Sequence, residues 1–161
     1  MALLDRVKEF LSTTSNVSIG QNELKFLSAD RLEDGQTGYS VDKQKNSLVT
    51  GKPGAWRKEW MVIGTDAMED PIIVDLRTDD LEVMTAEHGD SDWEPYVIAD
   101  SLENFKQIVD GLKKLSKDRA TLEQLEENPI SAAERDKFMA EVEESNPESE
   151  TGYWFNYVTE E

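Results

Sequence analysis

Residues 60 to 86 read Trp60-Met61-Val62-Ile63-Gly64-Thr65-Asp66-Ala67-Met68-Glu69-Asp70-Pro71-Ile72-Ile73-Val74-Asp75-Leu76-Arg77-Thr78-Asp79-Asp80-Leu81-Glu82-Val83-Met84-Thr85-Ala86. Three short apolar segments lie in it, 60–64, 71–76 and 82–86, rich in β-branched residues and separated by polar turns such as Arg77-Thr78-Asp79-Asp80. Segments joined by connections this short predict antiparallel neighbours, because a parallel pair needs a crossover of a dozen residues or more. Pro71 fits as the first residue of its strand, where no ladder donor is lost. A further short strand is expected at Tyr96 to Ile98.

Helical periodicity flanks this meander. Leu3, Leu4, Val7, Phe10 and Leu11 share one helix face, which predicts a helix over 2–12, stopped by the turn-favouring run Ser12 to Asn16. Residues 17–35 fit strand and short helix equally well, with Asp34-Gly35 as a turn. Residues 37–50 suggest two short strands around a polar turn, before Gly51, Pro53 and Gly54 break the chain. Beyond the meander, Leu102, Phe105, Ile108, Val109, Leu112 and Leu115 form a continuous stripe. Asp100 or Ser101 can cap its start, and Lys113, Lys114 and Lys117 suit its negative end. An acidic helical segment over 121–128 ends at Pro129, and Ser131-x-x-Glu134 is a capping box for a last helix that closes at Asn146-Pro147. The tail Tyr153 to Val158 is too aromatic to be left in water and is expected to pack back. The fold class is α+β, a single domain with a mainly antiparallel sheet flanked by helices. Residues 1–120 form the domain, and 121–161 form an acidic, helical C-terminal extension packed on it.

The charge narrows the function. In 161 residues there are 35 acids against 17 Lys and Arg, a net of −18, with no cysteine. Without cysteine there is no disulfide framework, thiol nucleophile, iron–sulfur cluster or Cys-ligated zinc, and a reducing compartment is the easier home. The acidity is regional: residues 66–94 hold 11 acids and one base, Arg77, and residues 121–161 hold 12 acids with Arg135 and Lys137. Nucleic acid and anionic membrane would be repelled, whereas a basic protein partner would be attracted. No apolar run approaches a membrane span, and the N-terminus, with Asp5 early and no cationic start, does not read as a secretory signal, so a cytoplasmic location is expected.

Little in the chain reads as catalysis. His88 is the only histidine, so His-rich metal sites cannot be built, and no Gly-x-Ser-x-Gly elbow is present to make it part of a serine triad. Acid pairs exist on paper because acids are everywhere, and a solvated acidic face is the plainer reading. Gly89-Asp90-Ser91-Asp92-Trp93-Glu94 hints at calcium but lacks the central glycine and distant glutamate of the EF-hand loop. No phosphate-cradling Gly-x-x-x-x-Gly-Lys-Ser/Thr occurs. No catalytic residue, metal or cofactor is expected. Of Trp56, Trp60, Trp93 and Trp154, at most one is assigned to a partner surface.

From Trp56 to Val109 the chain resembles the SUKH superfamily of cell-wall-assembly regulators and bacterial immunity proteins. The residues that carry the likeness are Trp56-Arg57-Lys58-Glu59-Trp60-Met61-Val62-Ile63-Gly64, Asp70 to Leu76, Val83 to Gly89, and Ile98-Ala99-Asp100-Ser101-Leu102-Glu103-Asn104-Phe105. Where the family usually has Gly-Asp before the second of these strands, this chain has Glu69-Asp70. The resemblance implies a non-enzymatic α+β binding domain and, for bacterial members, neutralisation of a cognate toxin by stoichiometric binding. Charge steering would suit a basic, nuclease-type toxin met by an acidic face of Asp66, Glu69, Asp70, Asp79, Asp80 and Glu82, with His88 or Trp93 at its rim as the buried anchor. The alternative is a regulatory scaffold that recruits partners through the acidic C-terminal region.

Overall fold

The computed structural model describes residues 2–89 and 91–159. Six strands follow one another in chain order across a single antiparallel sheet: β1 (Val17–Ile19), β2 (Asn22–Phe26), β3 (Trp60–Asp66), β4 (Pro71–Asp75), β5 (Val83–Thr85) and β6 (Tyr96–Ala99). The three expected central strands and the fourth are in place. The ambiguous stretch 17–35 resolves into the β1–β2 hairpin and two short 3-10 turns, so the meander is extended on its N-terminal side.

Five helices, α1 (Leu3–Thr13), α2 (Leu102–Ser116), α3 (Leu122–Glu127), α4 (Ala132–Ser145) and α5 (Gly152–Thr159), pack against one face of the sheet. Ser101, not Asp100, caps α2 by accepting from Asn104 N–H at 3.0 Å. Ser131 and Glu134 form the expected capping box on α4, and Thr121 with Gln124 forms a second one on α3. Val7 and Phe10 of α1, Phe105 and Leu112 of α2, Phe138 of α4 and Trp154 of α5 share one core with Ile63, Ile72, Val74 and Ile98 of the sheet. Trp154 is fully buried and donates its indole N–H to the Ile98 carbonyl at 2.7 Å. Arg119, buried after α2, binds the Asn128 and Pro129 carbonyls and Glu134, which fixes where α4 departs.

The other face of the sheet is also covered, and by a segment that the sequence misassigns. No strand forms over 37–50; only single bridges link Val41 to Thr37 and Ser47. Polar Asp42 to Asn46 has no apolar alternation to hold a hairpin, and Asp42 Oδ1 instead accepts from the Gln44 and Asn46 amides at 2.9 Å. The segment runs as an irregular strap, with Tyr39, Val49, Trp56 and Trp93 packed over Trp60, Val62, Ile73 and Met84. This is why every residue of β4 is buried, Ile72 and Val74 towards the helices and Ile73 towards the strap.

Gly64 is a strand residue with a specific steric role. The β3–β4 register slips between Val62 and Gly64, a bulge that turns Ile63 into the helix-side core. A Cβ on Gly64 would overlap the Lys25 carbonyl oxygen and lie 3.2 Å from Phe26 Cα, so β2 can approach only a glycine.

Candidate partner-binding site

The meander carries the acidic residues to two opposite ends of the sheet. Asp66, Glu69 and Asp70 lie on the β3–β4 turn, and His88 on the β5–β6 connection joins them there. Asp79, Asp80 and Glu82 lie on the β4–β5 turn at the other end, about 15 Å away by the rise of a five-residue strand. One face made of all six acids, as expected from the sequence, does not exist, because consecutive turns of an antiparallel meander fall at alternating ends.

The first end is tightly built. Asp66 Oδ1 accepts from the amides of Met68 and Asp70 at 2.9 and 3.0 Å, and its Oδ2 accepts from the Tyr153 hydroxyl at 2.8 Å, tying the turn to α5. Asp70 Oδ1 accepts from the His88 amide at 3.0 Å and meets His88 Nδ1 at 2.6 Å. That hydrogen bond, with the charges of Asp70, Glu69 and Asp66 behind it, raises the His88 pKa above its ordinary 6.5. The acids also reach the surrounding phenols. Burial first, and then the Asp66 charge, pushes Tyr153 far up, and Tyr39 and Tyr96 are raised by burial and then by Asp70.

Glu69 sits at φ 65°, a left-handed conformation that favours glycine, at the position where the resembled family usually has one. Beside it, Met68 is 73% exposed at the apex of the turn, and at the same end of the sheet Tyr96 is 40% exposed on the edge strand β6, with β5 between β6 and β4. Neither was singled out from the sequence: one methionine between acids has no pattern, and only the strand order shows Tyr96 near the turn. Trp93, proposed as an anchor, is half-buried. Its ring packs 5.2 Å from Trp56 and 5.8 Å from Tyr39, and its amide donates to the Gly54 carbonyl at 2.8 Å, so it holds the strap.

At the second end Asp75 and the turn's backbone carbonyls are committed to the fold, while the Asp79 and Asp80 side chains are exposed. Buried Asp75 holds Arg77 through Nε and Nη2 at 2.9 and 2.7 Å. The Asp79 carbonyl accepts from Arg6 at 2.6 Å, and the Asp80 carbonyl from the first amide of α2 at 3.2 Å. Burial first, then the Asp75 charge, raises the Glu82 pKa. Asp90, part of the calcium-like loop, lies outside the described residues; among those described, no three His, Asp or Glu side chains are placed to hold a metal ion. No helix among them is long and apolar enough to cross a membrane.

A six-stranded antiparallel meander with helices on one face and a strap on the other defines a single α+β domain. The model of the SMI1 / KNR4 family (SUKH-1) matches residues 1–107, about two thirds of the chain, and the chain belongs to that family. The superfamily includes immunity proteins and Smi1/Knr4 regulators and is generally non-catalytic. Comparison with curated proteins and with solved structures gives no match. The family match ends inside α2, yet α3, α4 and α5 beyond it place Leu125, Phe138, Met139, Val142, Trp154, Tyr157 and Val158 in the same core.

Proposed function

We propose that the chain is a non-enzymatic protein that neutralises a basic, nuclease-type toxin domain by stoichiometric binding through the β3–β4 end of its sheet. The observation that carries this reading is an exposed Met68 held at the apex of a braced acidic turn, with Tyr96 exposed at the same end of the sheet on β6. Acids steer a basic partner into encounter and set the on-rate, while a desolvated apolar anchor sets the off-rate. Exposed Glu69 and Glu87 do the steering, and Asp66 and Asp70 keep the turn rigid. The scaffold alternative finds less support, since the acidic region from Thr121 supplies seven buried apolar residues to the core and is no free arm.

The test is affinity capture of the tagged protein from its host lysate at low and high salt, with mass spectrometry, followed by binding kinetics on the captured partner. A basic protein recovered in near-stoichiometric amount, with Glu69→Lys and Glu87→Lys slowing association and Met68→Ala speeding dissociation, is the expected result. A partner whose kinetics none of these changes alters refutes the site, and capture of an acidic partner refutes the reading.

A further inference from the structure

The strap over the second sheet face has a charge opposite to the rest of the protein. Residues 43–58 contain Lys43, Lys45, Lys52, Arg57 and Lys58 and no acid, in a chain where acids outnumber bases two to one. All five cations are exposed. The ion pairs among the described residues use Lys25, Arg31, Arg77, His88 and Arg119, so none of the five is held by a described carboxylate. The strap is also shaped rather than loose. The Leu48 amide donates to the Ser40 carbonyl at 2.8 Å, and the Trp56 indole to the Trp60 carbonyl at 3.2 Å. Gly51 and Gly54 take the left-handed conformations at φ 79° and 82°. Around them lies a concavity of about 380 Å3 whose lining includes Val49, Pro53 and the cations Lys52, Arg57 and Lys58, with Glu59 as its one acid. Exposed Leu48 and half-buried Val49 add an apolar element to the basic surface.

We propose that this strap is a second interaction surface, and that it receives a short acidic segment of a protein partner in which carboxylates alternate with apolar side chains. Charge complementarity selects the carboxylates, and Leu48 and Val49 with the concavity select the apolar positions. A long polyanion fits poorly. Nucleic acid or an anionic membrane extending past the strap meets a molecule of net charge −18, and of the strap's own aromatics Trp56 is buried and Tyr39 is half-buried against the sheet, so neither offers a fully exposed ring for a base to stack on. This inference does not rest on the toxin reading, because the strap variants below leave Asp66, Met68, Glu69 and Asp70 untouched.

The experiment is fluorescence anisotropy at low salt on the full chain with three probes: a labelled Glu-Leu-Glu-Glu-Leu-Glu peptide, a labelled oligothymidylate, and phosphatidylserine vesicles. The strap variant carries Lys43→Gln, Lys45→Gln, Lys52→Gln and Lys58→Gln. It keeps Arg57, whose guanidinium lies 5.9 Å from the centre of the Trp60 ring and contributes to packing. A control variant replaces Lys106, Lys114, Lys117 and Lys137 with Gln, so that net charge is matched. The expected result is saturable peptide binding that weakens about tenfold or more in the strap variant, the cumulative effect of four exposed charge contacts, and less than twofold in the control. No saturable peptide binding, equal loss in both variants, or tighter binding of the oligothymidylate or vesicles overturns the proposal. Sedimentation velocity supplies a further arm: self-association abolished by the strap variant would assign the strap to the acidic turn of a second copy and overturn a separate partner.

Discussion

Gly64→Ala tests the close approach that sets the register of the sheet and, through it, the position of the β3–β4 turn. The added Cβ would overlap the Lys25 carbonyl oxygen and sit 3.1 Å from its carbon and 3.2 Å from Phe26 Cα. All three atoms are backbone of β2, so no side chain can rotate away, and β2 must move. Overpacking of this kind costs about 1–3 kcal/mol. Displacing β2 also weakens the ladder at Phe26–Gly64 and Lys25–Thr65, with about 1 kcal/mol at stake for each hydrogen bond. Lower chain entropy in the unfolded alanine variant returns about 0.5–1 kcal/mol. The net is a loss of about 3 kcal/mol, a large part of the roughly 5–15 kcal/mol that holds a domain, and a fall in Tm on the order of 10 °C. Urea unfolding followed by tryptophan fluorescence and far-UV circular dichroism measures it. Gly111→Ala is the internal comparison: its Cβ would meet only the Phe138 ring, at 3.1 Å, on a helix where alanine gains about 1 kcal/mol in propensity, so it should be neutral within about 1 kcal/mol. Equal stability losses for the two variants, or a Gly64→Ala loss below about 1 kcal/mol, would refute the steric reasoning.

Glu69→Gly should stabilise the protein by about 0.5–1 kcal/mol, the left-handed penalty of a non-glycine residue less the chain entropy that glycine adds, and chemical denaturation that shows a loss would remove the strain argument. His88 is the only histidine, so its NMR titration reads one group: the midpoint should lie above 6.5 and fall back towards it in Asp70→Asn, and a midpoint at or below 6.5 in the parent contradicts the contact. Because the folded pKa is raised, the contribution of protonated His88 to stability is complete below its unfolded pKa and is lost as pH rises through the folded one. His88→Gln should therefore flatten the stability profile across that interval, and an unchanged slope speaks against it. Trp154→Ala should cost about 3–5 kcal/mol by the cavity it leaves, with the Ile98 carbonyl unpaired, and a loss under about 1 kcal/mol in urea would mean that α5 is dispensable to the core.

What could be read from the sequence follows the periodicity of each segment. β3 to β6 and α2 show clear runs and stripes, and the capping box at Ser131 is a local signal that needs no tertiary context. The hairpin at 17–26 was ambiguous because β1 has only three residues and β2 is half-exposed, so neither carries a full alternation. The strap was misread because Ser47 to Thr50 has strand composition, while what holds the segment is distant: Trp56, Tyr39 and Trp93 meeting over the sheet. The site was visible as charge but not as geometry. A run of 11 acids over 66–94 does not say that the meander divides them between two ends, nor that a methionine without a pattern stands at the apex of one turn.

The division also sorts the carboxylates by what they already hold, and this decides which of them can face a partner. Asp66 holds two turn amides and a phenol, Asp70 holds the His88 backbone and ring, Asp75 holds Arg77, and Asp100 holds the Glu148 amide and the Ser149 hydroxyl beside the edge strand β6. Reversing any of these to lysine removes an acceptor from donors that then go unpaired, so a binding defect in such a variant would report on folding as much as on recognition. Glu69 and Glu87 at the first end, and Asp79 and Asp80 at the second, have exposed side chains that the fold does not use in this way. If steering is local to the first end, lysine at 69 and 87 slows association while lysine at 79 and 80 has a smaller effect, since about 15 Å exceeds the Debye length of roughly 8 Å at physiological salt. If instead the total charge of −18 does the steering, both pairs act equally, and the β3–β4 turn loses its claim to be the point of contact.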